Sequence, residues 1–145
     1  MIQLRHVGVY VYDLEKMSSF YKNVFHMLVI CENLKQEDAL IEDLLKQKSV
    51  KVTKLVTEYG KNAGSGDMLE LLHCETKTKE VSHYISDNGI VHMCFSVDDI
   101  EDTVKNIQLY SGKQCTEIHK MDNGNKCCFC QDPEGNWLEL IERIE

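Results

Sequence analysis

His6-Val7-Gly8-Val9-Tyr10-Val11-Tyr12-Asp13-Leu14-Glu15 aligns without a gap to His92-Met93-Cys94-Phe95-Ser96-Val97-Asp98-Asp99-Ile100-Glu101. Both stretches open on histidine, and an Asp-(Leu/Ile)-Glu triplet follows seven to nine places later. A second echo lies downstream, where Met68-Leu69-Glu70-Leu71-Leu72 matches Trp137-Leu138-Glu139-Leu140-Ile141 in the order apolar, Leu, Glu, Leu, apolar. The chain is therefore a repeat, and each copy opens with His and closes with Glu.

The opening segments are rich in β-branched and aromatic residues and read as strands that turn, at an Asp, into a helical period. Asp13 suits an N-cap, because Met17, Phe20, Tyr21, Val24 and Phe25 then fall on one apolar stripe. In the second copy the helix is read as starting after Asp98, with Ile100, Val104, Ile107 and Leu109 as its apolar positions and Glu101 placed for a capping box. The remainder of each copy reads as strands joined by turns, at 60–66 before Asp67-Met68 and at Asp132-Pro133-Glu134-Gly135-Asn136 before Trp137. The pattern predicts an α+β fold of two βαβββ modules, about 1–76 and 89–145. They are expected to form paired curved mixed sheets around a groove, which the histidines and glutamates considered below make a metal-binding one, and to make one domain over 1–145. The first copy alone carries an extra helical stretch, about 37–48, whose Ala39, Ile41, Leu44 and Leu45 pack on a sheet or cover a cleft. Between the copies, 75–88 is polar and holds the turn-like Ser86-Asp87-Asn88-Gly89.

At 145 residues and 43% hydrophobic content the chain supports one core, and is too short for two ordinary independent domains. Sixteen basic against 24 acidic side chains give a formal charge of -8, which opposes binding to anionic surfaces and makes nucleic acid an unsuitable partner. No apolar run approaches the roughly 20 residues a membrane helix needs, and the N-terminus leads straight into a strand rather than a signal peptide. A cytoplasmic location is expected. The seven cysteines are an odd set, as expected of thiols in a reducing compartment, and no structural disulfide is expected. In Cys127-Cys128-Phe129-Cys130 a strand would turn Cys127 away from Cys128 and Cys130, which favours packing over a soft-metal or redox site.

Strand alternation puts His6, Gly8 and Tyr10 on one side and Val7, Val9 and Val11 on the other, where the helices should pack. His92, Cys94 and Ser96 oppose Met93, Phe95 and Val97 in the same way, so each histidine takes the less apolar face. Glu70 and Glu139 each point away from flanking leucines, and a carboxylate buried without a partner is costly. Taken singly, a strand histidine is usually an ordinary satisfied side chain, and a glutamate between leucines is usually the solvent face of an amphipathic strand. The same placement in both copies is harder to obtain by generic patterning. If the copies pair about an approximate two-fold, two His and two Glu converge, and one divalent cation relieves the burial of charge. Two imidazoles with two carboxylates suit Zn, Ni, Co, Mn or Fe better than a thiolate-loving ion. His26, His73, His83 and His119 lack the duplicated context and read as surface or helix-end residues that hydrogen-bond nearby carbonyls.

These residues resemble the vicinal oxygen chelate superfamily, which includes glyoxalase I, methylmalonyl-CoA epimerase, extradiol dioxygenases and fosfomycin-resistance proteins. The resemblance covers nearly the whole chain. It is carried by His6-Val7-Gly8-Val9, Asp13-Leu14-Glu15, Phe20-Tyr21-Lys22, Leu69-Glu70-Leu71, His92 with Val97-Asp98-Asp99-Ile100, and Asp132-Pro133-Glu134-Gly135-Asn136 before Leu138-Glu139-Leu140. The ligand set His6, Glu70, His92, Glu139 is most similar to that of bacterial-type glyoxalase I. The epimerases usually have Gln at the second position, and the dioxygenases use two His and one Glu. The resemblance implies one divalent metal (Ni, Zn, Co or Mn). It implies a small-molecule substrate, the adduct of a 2-oxoaldehyde with glutathione or another thiol, and a proton moved between adjacent carbons. It makes Glu139 the proton shuttle with Glu70 as its counterpart, and it implies a homodimer.

Three features depart from that pattern. Relatives commonly meet glutathione's carboxylates with arginine, yet only Arg5 and Arg143 are present. The helical stretch 37–48 is an addition, and His26 stands where many relatives have Gly. A different acyl or thiol group therefore fits the chain as well. The alternatives are an epimerase-like enzyme with the same chemical core, a dioxygenase using His6, His92 and Glu139 as a facial triad, and a metal-free module that sequesters small molecules.

Overall fold

The computed structural model describes residues 2–46, 49–59, 66–75, 84–86 and 88–144. The chain divides into two compact units, Met1–Lys79 and Glu80–Glu145. The first runs β1 (His6–Tyr10), α1 (Leu14–Val24), β2 (Leu28–Gln36), α2 (Ala39–Leu45), β3 (Val50–Val56), β4 (Met68–His73). Its sheet has the order β1-β4-β3-β2, with β1 parallel to β4 and the other pairs antiparallel. The second unit runs β5 (His92–Val97), α3 (Ile100–Leu109), β6 (Lys113–Gln114), β7 (His119–Lys120), β8 (Lys126–Gln131), β9 (Trp137–Glu142). Its sheet has the order β5-β9-β8-β6, again with its first and last strands parallel, while β7 pairs with β8 beside β6. The architecture is thus α+β with two mixed sheets, and the second strand of the second unit is split into two short pieces.

Parallel strands cannot be joined by a tight hairpin, so each unit needs a crossover, and its helix packs on the sheet. In α1, Leu14, Met17, Phe20, Tyr21 and Val24 are buried, the stripe that the spacing predicts. Phe20 and Tyr21 meet edge to face at 5.1 Å. Beneath them lie Leu69 and Leu71, and Leu138 with Leu140 play the same part under α3. Each such side chain stabilises the fold by roughly 1.5–3 kcal/mol relative to exposure. Val11 is buried and Val7 and Val9 half-buried, whereas His6 and Gly8 are exposed, as alternation requires.

Both helices are capped by aspartate. Asp13 Oδ1 accepts from Lys16 N at 3.0 Å. In the second unit the cap is Asp99, which accepts from Asp102 N at 2.9 Å, and not Asp98. The gapless alignment of the two copies pairs Asp13 with Asp99, so the repeat was the better guide. The shift of one residue removes Glu101 from the capping-box position, and it reaches Lys126 at 3.4 Å instead. Leu109 ends the helix exposed, while Ile100, Val104 and Ile107 are buried.

The insertion of the first unit forms α2, shorter than the 37–48 expected; Lys48 lies outside the described residues. Asp38 caps it through Ile41 N at 2.9 Å. Only Ile41 and Leu45 pack, forming a cluster with Val50, Val52, Leu72 and Cys74, and Ala39 and Leu44 face solvent. Leu72 shares a face with Glu70, so α2 covers part of the face that carries the glutamate. The turn 60–65, His83, Asp87 and most of the polar stretch 75–88 fall outside the described residues.

All seven cysteines are free. Cys127 and Cys130 are three apart, a spacing used by metal and redox motifs, but alternation along β8 separates them. Cys128 and Cys130 are buried in the core, and Cys127 is on the opposite face. No helix among the described residues is long and apolar enough to cross a membrane.

Two helix-end details generate predictions. His26, just past the C-cap of α1, has φ +52, a left-handed conformation that glycine adopts without a Cβ penalty. His26→Gly should raise stability by about 1 kcal/mol in urea unfolding. At the start of α3, Glu142 Oε2 accepts from Ile100 N at 2.7 Å, and Oε1 lies 3.2 Å from Lys126 Nζ. The Ile100 N–H first, and Lys126 after it, hold the Glu142 carboxyl below its ordinary 4.5. A lowered folded value stabilises above the ordinary one and loses that contribution as pH falls through it. Glu142→Gln should therefore melt below wild type at neutral pH, with the gap closing once pH drops under 4.5 and through the lowered value.

Candidate metal site

In the first unit the parallel register of β1 and β4 pairs His6 with Met68 and Gly8 with Glu70. His6 and Glu70 thus share a face on adjacent strands, one register step apart, and the position between them carries no side chain. His6 Nε2 lies 3.6 Å from Glu70 Oε2. The second unit repeats the arrangement: His92 pairs with Trp137, Cys94 with Glu139, and His92 Nε2 lies 3.2 Å from Glu139 Oε2. Both imidazoles are a little over one-third exposed, and the carboxylates less so, at 14% for Glu70 and 24% for Glu139. Each unit therefore holds one imidazole–carboxylate pair accessible at its sheet face.

The flanks of the two carboxylates differ. Across β3, Glu70 faces Lys54, whose Nζ is 3.9 Å from Oε2. Across β8, Glu139 faces Phe129, whose ring stands edge-on to His92 at 5.3 Å and to Trp137 at 6.5 Å. Aromatic contact of this kind fixes the orientation of the imidazole. Next to Glu139 the Cys94 thiol is pushed up to about 11, by burial of the sulfur first and then by the glutamate's charge and hydrogen bond. Burial and Glu139 likewise raise Cys127. Both thiols are thus held protonated at neutral pH.

Glu139 also lines a cavity of about 490 Å³ with Thr116, His119, Met121, Cys127 and Phe129. His119 is exposed, as the sequence suggests. Its pairing with Cys127 brings it to the same face as Glu139, a long-range registration that no local pattern signals. A larger cavity of about 700 Å³ in the first unit is lined by Tyr12, Asp13, Lys51 and His73. Lys51 and His73 project from the sheet face opposite Glu70, so the donor geometry is the better guide to chemistry there than cavity size. His73 Nδ1 meets Val11 O at 3.1 Å, the carbonyl contact expected of it.

Among the described residues, Asp99, Glu101 and Glu142 also bring carboxylate oxygens within 4.8 Å of one another. That group is already occupied, since Glu142 caps α3 and Lys126 lies against both Glu101 and Glu142.

The turn before β9 places Glu139. Asp132, 3% exposed, accepts at Oδ1 from Glu134 N and Asn136 N, both at 3.0 Å, and at Oδ2 from Asn136 Nδ2 at 2.9 Å. Gly135 takes φ +86 within it, which a Cβ would strain.

A model of the Glyoxalase/Bleomycin resistance protein/Dioxygenase superfamily matches residues 3–140. The chain is 29% identical to a lactoylglutathione lyase of Schizosaccharomyces pombe, over 99% of this chain and 48% of that protein. It is also 29% identical to a probable lactoylglutathione lyase of Synechocystis sp., over 96% of this chain and 94% of that one. It spans about half the length of the first relative and nearly all of the second. Among solved structures, a glyoxalase family protein from Bacillus cereus is similar with a TM-score of 0.85 at 17% identity, covering 100% of this chain and 96% of that chain. Glyoxalase I from Zea mays gives a TM-score of 0.67 at 23% identity, over 99% of this chain and 45% of that chain. At such identities the likeness to solved structures concerns the fold, and the family follows from the match along 3–140: the chain belongs to the Glyoxalase/Bleomycin resistance protein/Dioxygenase superfamily.

Proposed function

We propose that the protein is a metal-dependent, glyoxalase-I-like lyase acting on the hemithioacetal of a 2-oxoaldehyde and a thiol. The observation that carries this reading is the imidazole–carboxylate contact, repeated at the same register position of two parallel strand pairs. The names of the relatives support it.

Two imidazole nitrogens and two carboxylate oxygens make a borderline-to-hard donor set that fits Zn, Ni, Co or Mn. One pair alone offers two ligands, fewer than such ions take, so His6, Glu70, His92 and Glu139 are all proposed as metal ligands. When bound, a divalent ion supplies stabilisation of the negative charge that develops on the substrate's two adjacent oxygens as the intervening C–H bond breaks.

The chain's own residues supply the proton transfer. Glu139, which borders the cavity, takes the proton from the carbon bearing sulfur and hydroxyl and returns it to the neighbouring carbon. The hydroxyl proton passes to the former ketone oxygen. The sulfur-bearing carbon ends as a thioester carbonyl and its neighbour as a secondary alcohol, with no net gain or loss of electrons. Phe129 and Met121 give the cavity beside Glu139 an apolar lining. Glu70, 3.9 Å from Lys54, is the counterpart of Glu139 in the first unit.

Elemental analysis followed by reconstitution of the apo-protein with Ni, Co, Zn or Mn, and an assay on methylglyoxal plus glutathione, tests the reading. One ion per chain with turnover is the expected result. Bound metal without turnover redirects the search to another chelating substrate, and absence of metal uptake favours a small-molecule-binding module. Glu139→Gln should lower kcat by about 10²–10⁴-fold with an unchanged circular dichroism spectrum, and normal turnover in that variant removes Glu139 as the base.

A further inference from the structure

We infer that Lys54 is a specificity residue whose ammonium binds a carboxylate carried by the substrate close to its two chelating oxygens. This rests on the chelation reading above and deepens it. Lys54 stands directly opposite Glu70 in the antiparallel pairing of β3 and β4, and so projects from the same face as Glu70 and His6. The positions flanking the Lys54–Glu70 pair on that face, Val52, Val56, Met68 and Leu72, are all buried and apolar. The ammonium is therefore a single cation set in an apolar strip beside a ligand carboxylate.

A purely structural role explains it poorly. At 3.9 Å the contact with Glu70 is too long for a hydrogen bond, and one-third of the Lys54 side chain stays exposed. Partly exposed ion pairs of this kind contribute little to stability. Among the described residues, Glu70 is the sole acidic group within 4 Å of this ammonium. A metal ion held by Glu70 would share that carboxylate's charge, which leaves the ammonium able to take a second anion. A substrate carboxylate at this position gains a charge-assisted contact with the ammonium that a neutral substrate does not.

The repeat sharpens the argument. The second unit keeps the histidine and the glutamate but has Phe129 where the first has Lys54. The cation is thus no requirement of the strand pairing or of the imidazole–carboxylate contact. It is an addition to one half, and it gives the face of the first unit a charge for an anionic group that the second unit's face lacks.

The carboxylate has two chemical sources, the acyl portion of the substrate or its thiol carrier, and hydroxamate chelators separate them. The Co(II)-loaded full chain is titrated calorimetrically with four probes. Acetohydroxamate and succinic monohydroxamate differ in an acyl carboxylate; a hydroxamate joined through sulfur to mercaptoethanol and one joined to glutathione differ in carrier carboxylates. Wild type is expected to bind the charged member of at least one pair about tenfold more tightly than the neutral member. Lys54→Met should erase that preference while leaving the neutral probes unchanged, and Lys54→Arg should retain it; the pair that responds identifies the source. Equal binding of charged and neutral probes by wild type overturns the inference, as does a preference that survives in Lys54→Met or an equal loss for neutral probes. Failure of the loaded protein to bind any hydroxamate overturns the chelation reading itself, and the inference with it.

Discussion

The parallel pairing of the first and last strands within each unit is the constraint on which the rest depends. It forces a crossover, and the crossover supplies the helix that buries Phe20 and Tyr21 in one unit and Ile100 and Ile107 in the other. It also brings together a histidine and a glutamate far apart in the chain. Were β1 or β5 to slip by one residue, each histidine would turn toward the helices and lose its carboxylate. Leucines on either side of Glu70 and Glu139 guard against that slip, because Leu69, Leu71, Leu138 and Leu140 are almost fully buried and hold the opposite face inward.

On this shared frame the two units differ in what surrounds the carboxylate. Gly8 and Lys54 flank Glu70, and Cys94 and Phe129 flank Glu139. One carboxylate sits beside a cation, the other between a thiol and an aromatic ring that also touches its histidine. A duplicated scaffold thus carries the same imidazole–carboxylate pair twice in different surroundings. The additions follow the same division. Helix α2 closes part of the glutamate face in the first unit through Ile41 and Leu45, whereas in the second the split strand β6 and β7 leaves room for the cavity beside Glu139.

Much of this was legible because the relevant signals are local or repeated. Alternation in 6–11 and 92–97 identified which face each histidine takes, and the stripe from Met17 to Val24 identified the buried side of α1. Comparison of the copies outperformed local rules at the second helix, where Asp98 and Asp99 are both fair caps by composition and only alignment with Asp13 selects Asp99. Leu109 was misplaced because helical period alone does not say where the packed part of a helix ends. Sequence does not place Lys54, Phe129 or His119 beside a glutamate for one reason: each reaches a glutamate face through antiparallel registration between distant segments, and neither propensity nor spacing along the chain encodes register.

The sequence by itself determined the α+β class, the duplication, and the identity of the His–Glu pairs, because burial patterns and repeats are properties of the order of residues. Tertiary structure alone decided which side chains stand beside each pair. Strand register and the packing of α2 and β7 depend on the summed fit of many long-range contacts, and those contacts exist only once the sheet has formed.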